Sequence, residues 1–110
     1  MQPFTKKAIE VMKNIPEGKV MSYGQVARSV GSPRAARQVA RILHSMSGAH
    51  GIPWHRIVNA KGEIVIKDGE GSYTQKLMLE EEGVCFEEDG TVSFSRYQYF
   101  PVCNEEIARL

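Results

Sequence analysis

The chain has 110 residues, 42% of them apolar and 25% charged, a composition that predicts one globular domain over residues 1–110 and excludes a disordered protein. No run approaches the roughly 20 apolar residues of a membrane span, and the N-terminal residues lack the apolar stretch of a secretory signal. Residues 1–62 carry ten basic and two acidic side chains (+8), whereas residues 63–110 carry four basic and eleven acidic ones (−7). A basic half is typical of a surface that binds a polyanion; the alternatives are a chance split or two halves that pair with each other.

The predicted elements begin with a helix over residues 3–13. Proline is tolerated at its first position, and apolar side chains recur along one face at helical spacing. The sequence Ile-Pro-Glu-Gly at 15–18 ends this helix in a turn. A short apolar stretch at 19–21 then leads into the next element.

Two helices follow in quick succession. Ser22 is placed to cap a helix over residues 23–30, and a Gly-Ser turn follows at 31–32. Ser32 is placed to cap the next helix, which has proline at its first position and covers 33–43. Two helices joined by such a turn are the pattern of a helix-turn-helix.

The second helix of this pair predicts two different faces. Apolar side chains are spaced i, i+4 and i+7 on one face: Ala35, Val39 and Ile42. Arg34, Arg37 and Arg41 share another face, where the small Ala36 would allow close approach to a groove. We predict DNA contacts from these four residues and from Ser32; the alternative is a solvated basic face without a ligand.

The middle of the chain predicts a loop and a β-hairpin. The loop covers 48–51 and precedes a segment, 52–58, that is extended at its end. The tight turn at 59–62 then connects this segment to a short strand at 63–66. This hairpin is the main β-structure that the sequence predicts.

The remaining elements are a helix and a strand. The helix is capped by Ser72 and ended by Gly83, and the strand covers 91–94. The fold class that follows is mainly α with a small β-hairpin.

Cysteine and histidine are not arranged as metal ligands. Cys85 and Cys103 stand outside any C-x-x-C pattern, and the three histidines show no ligand spacing with them. A zinc site needs about four such ligands, so we expect no metal and no other cofactor. Both cysteines are interpreted as structural or free thiols of a reduced compartment.

The segment Ile52-Pro53-Trp54-His55-Arg56-Ile57 is unusual. Pro53 prevents a regular helix here, and Trp54 is the one tryptophan of the chain, beside a histidine and an arginine. From these residues alone, Trp54 is either a core aromatic or part of a binding site.

Four sequence pieces together resemble one family. They are residues 18–23 (GKVMSY), 32–37 (SPRAAR), 52–57 (IPWHRI) and 81–83 (EEG). In order and spacing they resemble the DNA-binding domain of the O6-alkylguanine-DNA alkyltransferases, over residues 3–84, with residues 85–110 beyond the match. The resemblance implies a winged helix-turn-helix-like domain that docks in the minor groove. Active members read Pro-Cys-His-Arg where this chain has Trp54, and that departure is typical of alkyltransferase-like proteins.

The resemblance also implies a role for each matching residue. Arg37 would enter the duplex and fill the gap left by a flipped nucleotide, and Tyr23 would help to rotate that nucleotide outward. Trp54 would line the pocket for the alkyl group, and the main chain around Trp54 and Ile57 would bind the guanine edge. Lys67 would lie beside the bound base.

Two positions serve the cysteine in active members. Here His55 and Glu82 have no thiol to activate, so we interpret them as a structural hydrogen-bonded pair. Met46 departs from the asparagine that active enzymes usually carry.

The function implied is that of a non-enzymatic DNA-binding protein. It would flip O6-alkylguanine out of double-stranded DNA, hold it without transferring the alkyl group, and flag it for nucleotide excision repair proteins. We expect a monomer without a membrane partner, located in the cytoplasm, with the nucleoid if bacterial and in the nucleus if eukaryotic. The alternatives are an active methylated-DNA alkyltransferase, which would modify itself, and a helix-turn-helix transcriptional regulator, which would prefer one operator sequence.

Overall fold

A computed structural model describes residues 2–66 and 68–101, and the predicted mainly helical class is confirmed. The elements in chain order are α1 (Pro3–Lys13), β1 (Met21–Ser22), α2 (Tyr23–Ser29), α3 (Ala36–His50), a 3₁₀ turn (Trp54–Arg56), β2 (Ile57–Val58), α4 (Gly69–Glu81) and α5 (Phe94–Tyr97). Among the described residues, no helix combines the length and apolarity needed to cross a membrane.

Helices α1, α2 and α3 enclose the larger of two apolar cores. Ala8 and Met12 of α1, Val26 of α2 and Val39 of α3 are all fully buried there. The bounds of α1 are those predicted. Helix α2 also follows its prediction: the Ser22 hydroxyl accepts a hydrogen bond from the Gln25 N–H at 3.0 Å, and the helix ends just before Gly31. Local signals therefore placed both helices correctly.

The start of α3 was predicted wrongly. Ser32 does not cap it, because its carbonyl accepts from the Ala35 N–H at 2.9 Å and closes a turn centred on Pro33 and Arg34. Proline has a φ that suits this turn position as well as the first turn of a helix. The helix therefore begins at Ala36, and Arg34 lies before it.

The end of α3 also differs from the prediction. The helix continues beyond Leu43 to His50, through the loop predicted at 48–51. Gly48 is tolerated within the helix, whereas Gly51 adopts a left-handed φ of 61° and ends it.

The predicted hairpin does not form; the sheet is parallel instead. β1 pairs with β2 in the register Met21↔Ile57 and Ser22↔Val58. The turn at 59–62 is present, but the Asn59 side chain accepts from the Lys61 and Glu63 N–H groups. The Asn59 N–H also donates to the Glu63 carbonyl at 3.1 Å, but the pairing goes no further, and residues 64–66 form no strand.

A second core lies between the sheet, α4 and the segment that follows α4. Its buried members are Val20, Val58, Leu79, Val84, Val92 and Tyr97. Asp68, rather than the predicted Ser72, caps α4 by accepting from the Gly71 N–H at 3.1 Å. The predicted strand at 91–94 is reduced to one antiparallel bridge, between Phe86 and Val92, because Phe94 already begins α5.

Candidate nucleic-acid interface and base pocket

A pocket of about 300 Å³ opens between α2, α3, α4 and the 3₁₀ turn. Its lining residues are Tyr23, Ala40, Leu43, His44, Ser47, Trp54, Ile66 and Gln75. The pocket is therefore large enough for a small planar molecule, and its wall contains two aromatic rings.

The parallel sheet brings the two aromatic walls together. β1 runs directly into α2, of which Tyr23 is the first residue. The 3₁₀ turn that contains Trp54 runs directly into β2. Pairing of β1 with β2 therefore places two residues that are distant in sequence on either side of one pocket.

Tyr23 is half-buried, and burial raises the pKa of its hydroxyl above the usual value of 10.0. The phenol therefore remains protonated at neutral pH and can donate as well as accept a hydrogen bond. This suits contact with either a base edge or a phosphate oxygen.

Trp54 is held by a tight main-chain turn. Its N–H donates to the Ile52 carbonyl at 2.7 Å, and the Arg56 N–H donates to the Pro53 carbonyl at 3.0 Å. The indole meets the His55 ring edge to face, with 6.2 Å between ring centroids. The pocket wall at this position is therefore an apolar ring without a nucleophile.

Within the described residues, no cysteine lines the pocket. Cys85 is a free, exposed thiol that is not among the lining residues. Cys103 lies outside the described part of the chain. Group transfer to a thiol needs a thiolate beside the reacting carbon, and the pocket wall offers none.

Buried His55 and half-buried Glu82 form a hydrogen-bonded pair. The distance between His55 Nε2 and Glu82 Oε2 is 2.7 Å. Arg56 also donates to the carboxylate, with 2.7 Å between Nη2 and Oε2, and the Gly18 N–H donates to Oε1 at 3.0 Å. A further bond from Arg56 to the Ile15 carbonyl, 2.8 Å long, ties this network to the end of α1.

These contacts determine the charge of Glu82. Burial alone would raise the pKa of this carboxyl, but hydrogen bonds from Arg56, His55 and Gly18 outweigh it and lower the pKa to about 2. Glu82 is therefore a fixed anion at neutral pH, and it connects α4 to the 3₁₀ turn. Sequence reasoning missed Arg56 in this role, since the motif shows the residue but not which carboxylate it meets.

Gln75 is a second residue that sequence reasoning missed. It is 2% exposed, and its Nε2 donates to the carbonyls of His55 (3.2 Å) and Ile57 (3.0 Å). The signal available was its spacing, because Gln75, Leu79 and Glu82 follow i, i+4, i+7 on one face of α4. A polar residue on an otherwise buried face indicates a buried partner.

The other predicted pocket residues are placed differently. Ile57 is 1% exposed and packs in the larger core, so a contact of this residue with a base would come from its main chain. Lys67 lies outside the described residues. Met46 is partly buried and packs against the larger core.

The predicted DNA-contacting residues lie at the start of α3 and in the turn before it. Arg34, Arg37 and Arg41 are exposed, whereas Ser32 and Ala36 are half-buried. Within residues 2–66 and 68–101, the ion pairs are those that Glu82 makes with His55 and Arg56. The three arginines are therefore not neutralised by the acidic half of this part of the chain.

Comparison with known proteins agrees with the motifs and the fold. Residues 3–84 match the family model described as 6-O-methylguanine DNA methyltransferase, DNA binding domain. Alkyltransferase-like protein 1 of Schizosaccharomyces pombe is 42% identical over 85 residues, which are 76% of this chain and 79% of that protein. The DNA base-flipping protein of Escherichia coli is 38% identical over 96 residues, 87% of this chain and 74% of that protein.

Solved structures give the same result. S. pombe Atl1, in complex with damaged DNA containing O6-carboxymethylguanine, superposes with a TM-score of 0.78 at 37% identity, over 92% of this chain and 98% of that one. Methylated-DNA–protein-cysteine methyltransferases are more distant, at 30–33% identity and about half of their own length. The chain therefore belongs to the 6-O-methylguanine DNA methyltransferase DNA-binding-domain family, and within it to the non-catalytic alkyltransferase-like proteins.

Proposed function

We propose that this protein binds double-stranded DNA containing O6-alkylguanine, takes the modified base into the pocket, and leaves its alkyl group in place. The observation that carries the proposal is the position of Trp54. Its indole forms the pocket wall at the motif position where active relatives carry the acceptor cysteine. The names of the base-flipping and alkyltransferase-like relatives support the same function.

The exposed arginines supply the approach to DNA. Lys and Arg side chains that neutralise phosphates release counterions, which provides affinity without sequence preference. In this proposal Arg37, which is exposed at the start of α3, enters the duplex and stacks in the gap left by the flipped nucleotide. A sequence-reading regulator would use this helix too, but it would leave the pocket without a role.

The pocket supplies selectivity. O6-alkylguanine pairs poorly, so its extrusion costs less free energy than that of guanine. Tyr23 and Trp54 then offer aromatic surface to the base and to its alkyl group. Binding without chemistry leaves the lesion intact, so a second activity must remove it.

We propose that this second activity is nucleotide excision repair, and that the bound protein marks the lesion for the repair proteins. We propose that the protein acts as a monomer, because Tyr23, Trp54 and Arg37 of one chain supply both pocket and DNA surface. It would act where the DNA is, at the nucleoid of a bacterium or in the nucleus of a eukaryote.

The test is fluorescence anisotropy with two labelled duplexes that differ in one guanine, plain or O6-methylated, at one salt concentration. We expect tighter binding to the methylated duplex, and mass spectrometry should find both the protein and the lesion unmodified. Equal affinity for the two duplexes would exclude lesion recognition. A 14 Da gain on the protein, the mass of the transferred methylene unit, would instead identify alkyl transfer.

A further inference from the structure

The segment at 97–99 extends the small sheet on the side away from the pocket turn. The Val20 N–H donates to the Tyr97 carbonyl at 2.8 Å, and the Tyr99 N–H donates to the Val20 carbonyl at 2.9 Å. Gln98 thereby forms a parallel bridge with Val20. The main-chain order is therefore 97–99, then β1, then β2, although the family model ends at residue 84.

The side chain of Gln25 joins this segment to the start of α2. Its Nε2 donates to the Tyr99 carbonyl, and its Oε1 accepts from Gln98 Nε2 at 2.9 Å. Gln25 is 6% exposed, so water does not replace these partners readily. Because one end of the amide donates and the other accepts, the pair of contacts also fixes the orientation of the side chain.

The segment is itself anchored on both cores. Tyr97 is buried in the second core, and its hydroxyl accepts from the Cys85 N–H at 3.0 Å. Tyr99 packs against the larger core. The carbonyl that Gln25 meets is therefore held on one side by Tyr97 in the second core and on the other by Tyr99 against the larger core.

Gln25 lies in the first turn of α2, two residues after Tyr23. A helix of seven residues is marginal by itself, and its first turn has N–H groups without helical partners. Ser22 satisfies one of them, the N–H of Gln25, and the side chain of Gln25 ties the same turn to residues 98 and 99. Gln25 does not line the pocket, so it can influence the pocket through Tyr23.

We infer that Gln25, held by Gln98 and Tyr99, is a positioning residue that fixes Tyr23 at the pocket. The segment at 97–99 would then contribute, through Gln25 and Tyr23, to the recognition of the modified base. This inference rests on the proposed function, because it assigns a role in selecting the modified base. Arg37 and Arg41 lie on another helix, so loss of the Gln25 contacts with Gln98 and Tyr99 should affect lesion preference more than binding to plain DNA.

The test compares lesion preference, the ratio of Kd for plain duplex to Kd for the O6-methylguanine duplex, in wild type and in two variants. Gln25→Leu keeps the volume and removes both amide contacts, while Gln98→Ala removes one and leaves Gln25 in place. We expect Gln25→Leu to reduce the preference about two- to tenfold and Gln98→Ala to reduce it less. Thr74→Ala is the matched control, since it removes an exposed side-chain bond to a helix carbonyl in α4 that involves neither Gln25 nor its partners.

A double-mutant cycle separates positioning from general stability. If Gln25 acts through Tyr23, Gln25→Leu should have little further effect in a Tyr23→Ala background. Additive losses would overturn the inference, as would an unchanged preference in folded Gln25→Leu and Gln98→Ala proteins. Absence of any preference in wild type would instead overturn the proposed function itself. Gln98→Ala keeps the test valid if Gln25→Leu does not fold.

Discussion

At the scale of single residues, the site is a set of side chains with different tasks. Trp54 and Tyr23 form the pocket wall, whereas Glu82 is bound on three sides and does not line the pocket. In an active relative, the corresponding His and Glu would serve a thiol. Here the same pair, with Arg56, fastens α4 to the turn that carries Trp54.

Substitution Glu82→Gln tests this structural role. Arg56 would lose a charged acceptor at a site where its side chain is 15% exposed, so the free energy of unfolding at pH 7 should fall by about 2 kcal/mol. Urea unfolding followed by circular dichroism measures this change. Glu81→Gln is the control, because Glu81 is exposed and its change should stay within about 0.5 kcal/mol.

The difference in stability between wild type and Glu82→Gln should depend on pH. The pKa of Glu82 is lowered from its ordinary 4.5 to about 2 in the folded state, so its stabilising effect is complete above 4.5. It is lost as the pH falls from 4.5 towards 2, because the unfolded chain then binds a proton that the folded one does not. The stability difference between wild type and Glu82→Gln should therefore shrink over this range; a constant difference would contradict the assignment.

At the scale of elements, helix α3 combines two functions in one continuous rod. Its first turns expose Arg37 and Arg41, and its later turns contribute Leu43, His44 and Ser47 to the pocket. Because residues 37–47 all lie within this one helix, the exposed arginines and the α3 side of the pocket are held at a fixed distance from each other.

Gly48→Ala should strengthen this helix. A Cβ at this exposed helical position would meet no atom within 4 Å, and alanine loses less conformational entropy than glycine. We expect a gain of about 0.5–1 kcal/mol in the free energy of unfolding. Gly51→Ala is the matched contrast: its φ of 61° is left-handed, so alanine should destabilise the protein by about 1 kcal/mol. Gains at both positions would contradict the observed end of α3.

Local signals determined how much of the fold was predictable. Pro3 and Ser22 act on their own helix starts, so α1 and α2 were placed correctly from short windows of sequence. The start of α3 was missed because Ser-Pro suits a turn as well as a helix start, and here the turn from Ser32 to Ala35 forms. The sheet depends on contacts between distant residues, as in the pairing of Met21 with Ile57. Hydrophobic pattern alone does not distinguish that parallel pair from a hairpin.

Some residues of the candidate site could be predicted from the sequence motif, whereas others could be recognised only from the fold. The motif identified Tyr23 and Trp54, which the structure places in the pocket lining. Gln25 could not be found, since only the fold brings the Tyr99 carbonyl and the Gln98 side chain near it. The spacing of Gln75 indicated a buried partner, but only the fold identifies the His55 and Ile57 carbonyls. Spacing also placed Arg34 on a helix that in fact begins two residues later.

At the scale of the whole molecule, charge is divided between two halves, and among the described residues only Glu82 forms ion pairs across them, with His55 and Arg56. The basic surface around α3 should therefore dominate association with DNA, and affinity for a plain duplex should fall steeply with salt. Each phosphate contact contributes about 0.9 to the slope of log K against log salt concentration.

Arg41→Ala should reduce that slope by about one. Lys76→Ala removes the same charge from the acidic half, where the ammonium lies 5.4 Å from the centre of the Phe86 ring, and should leave the slope unchanged. Anisotropy titrations of plain duplex at a series of salt concentrations measure both. Equal changes in the two variants would mean that net charge, rather than the α3 surface, controls binding.

The sheet also has a consequence for the order in which the molecule is built. Helices α1, α2 and α3 lie within the first 50 residues and supply most of the buried members of the larger core. The pocket also needs Trp54, Ile66 and Gln75, which come later in the chain. Contacts of still longer range join Gly18 to Glu82, 64 residues apart, and Gln25 to Tyr99, 74 residues apart. Contacts between residues far apart in sequence form slowly, so we expect the arginine surface of α3 to form during folding before the pocket that would select the modified base is complete.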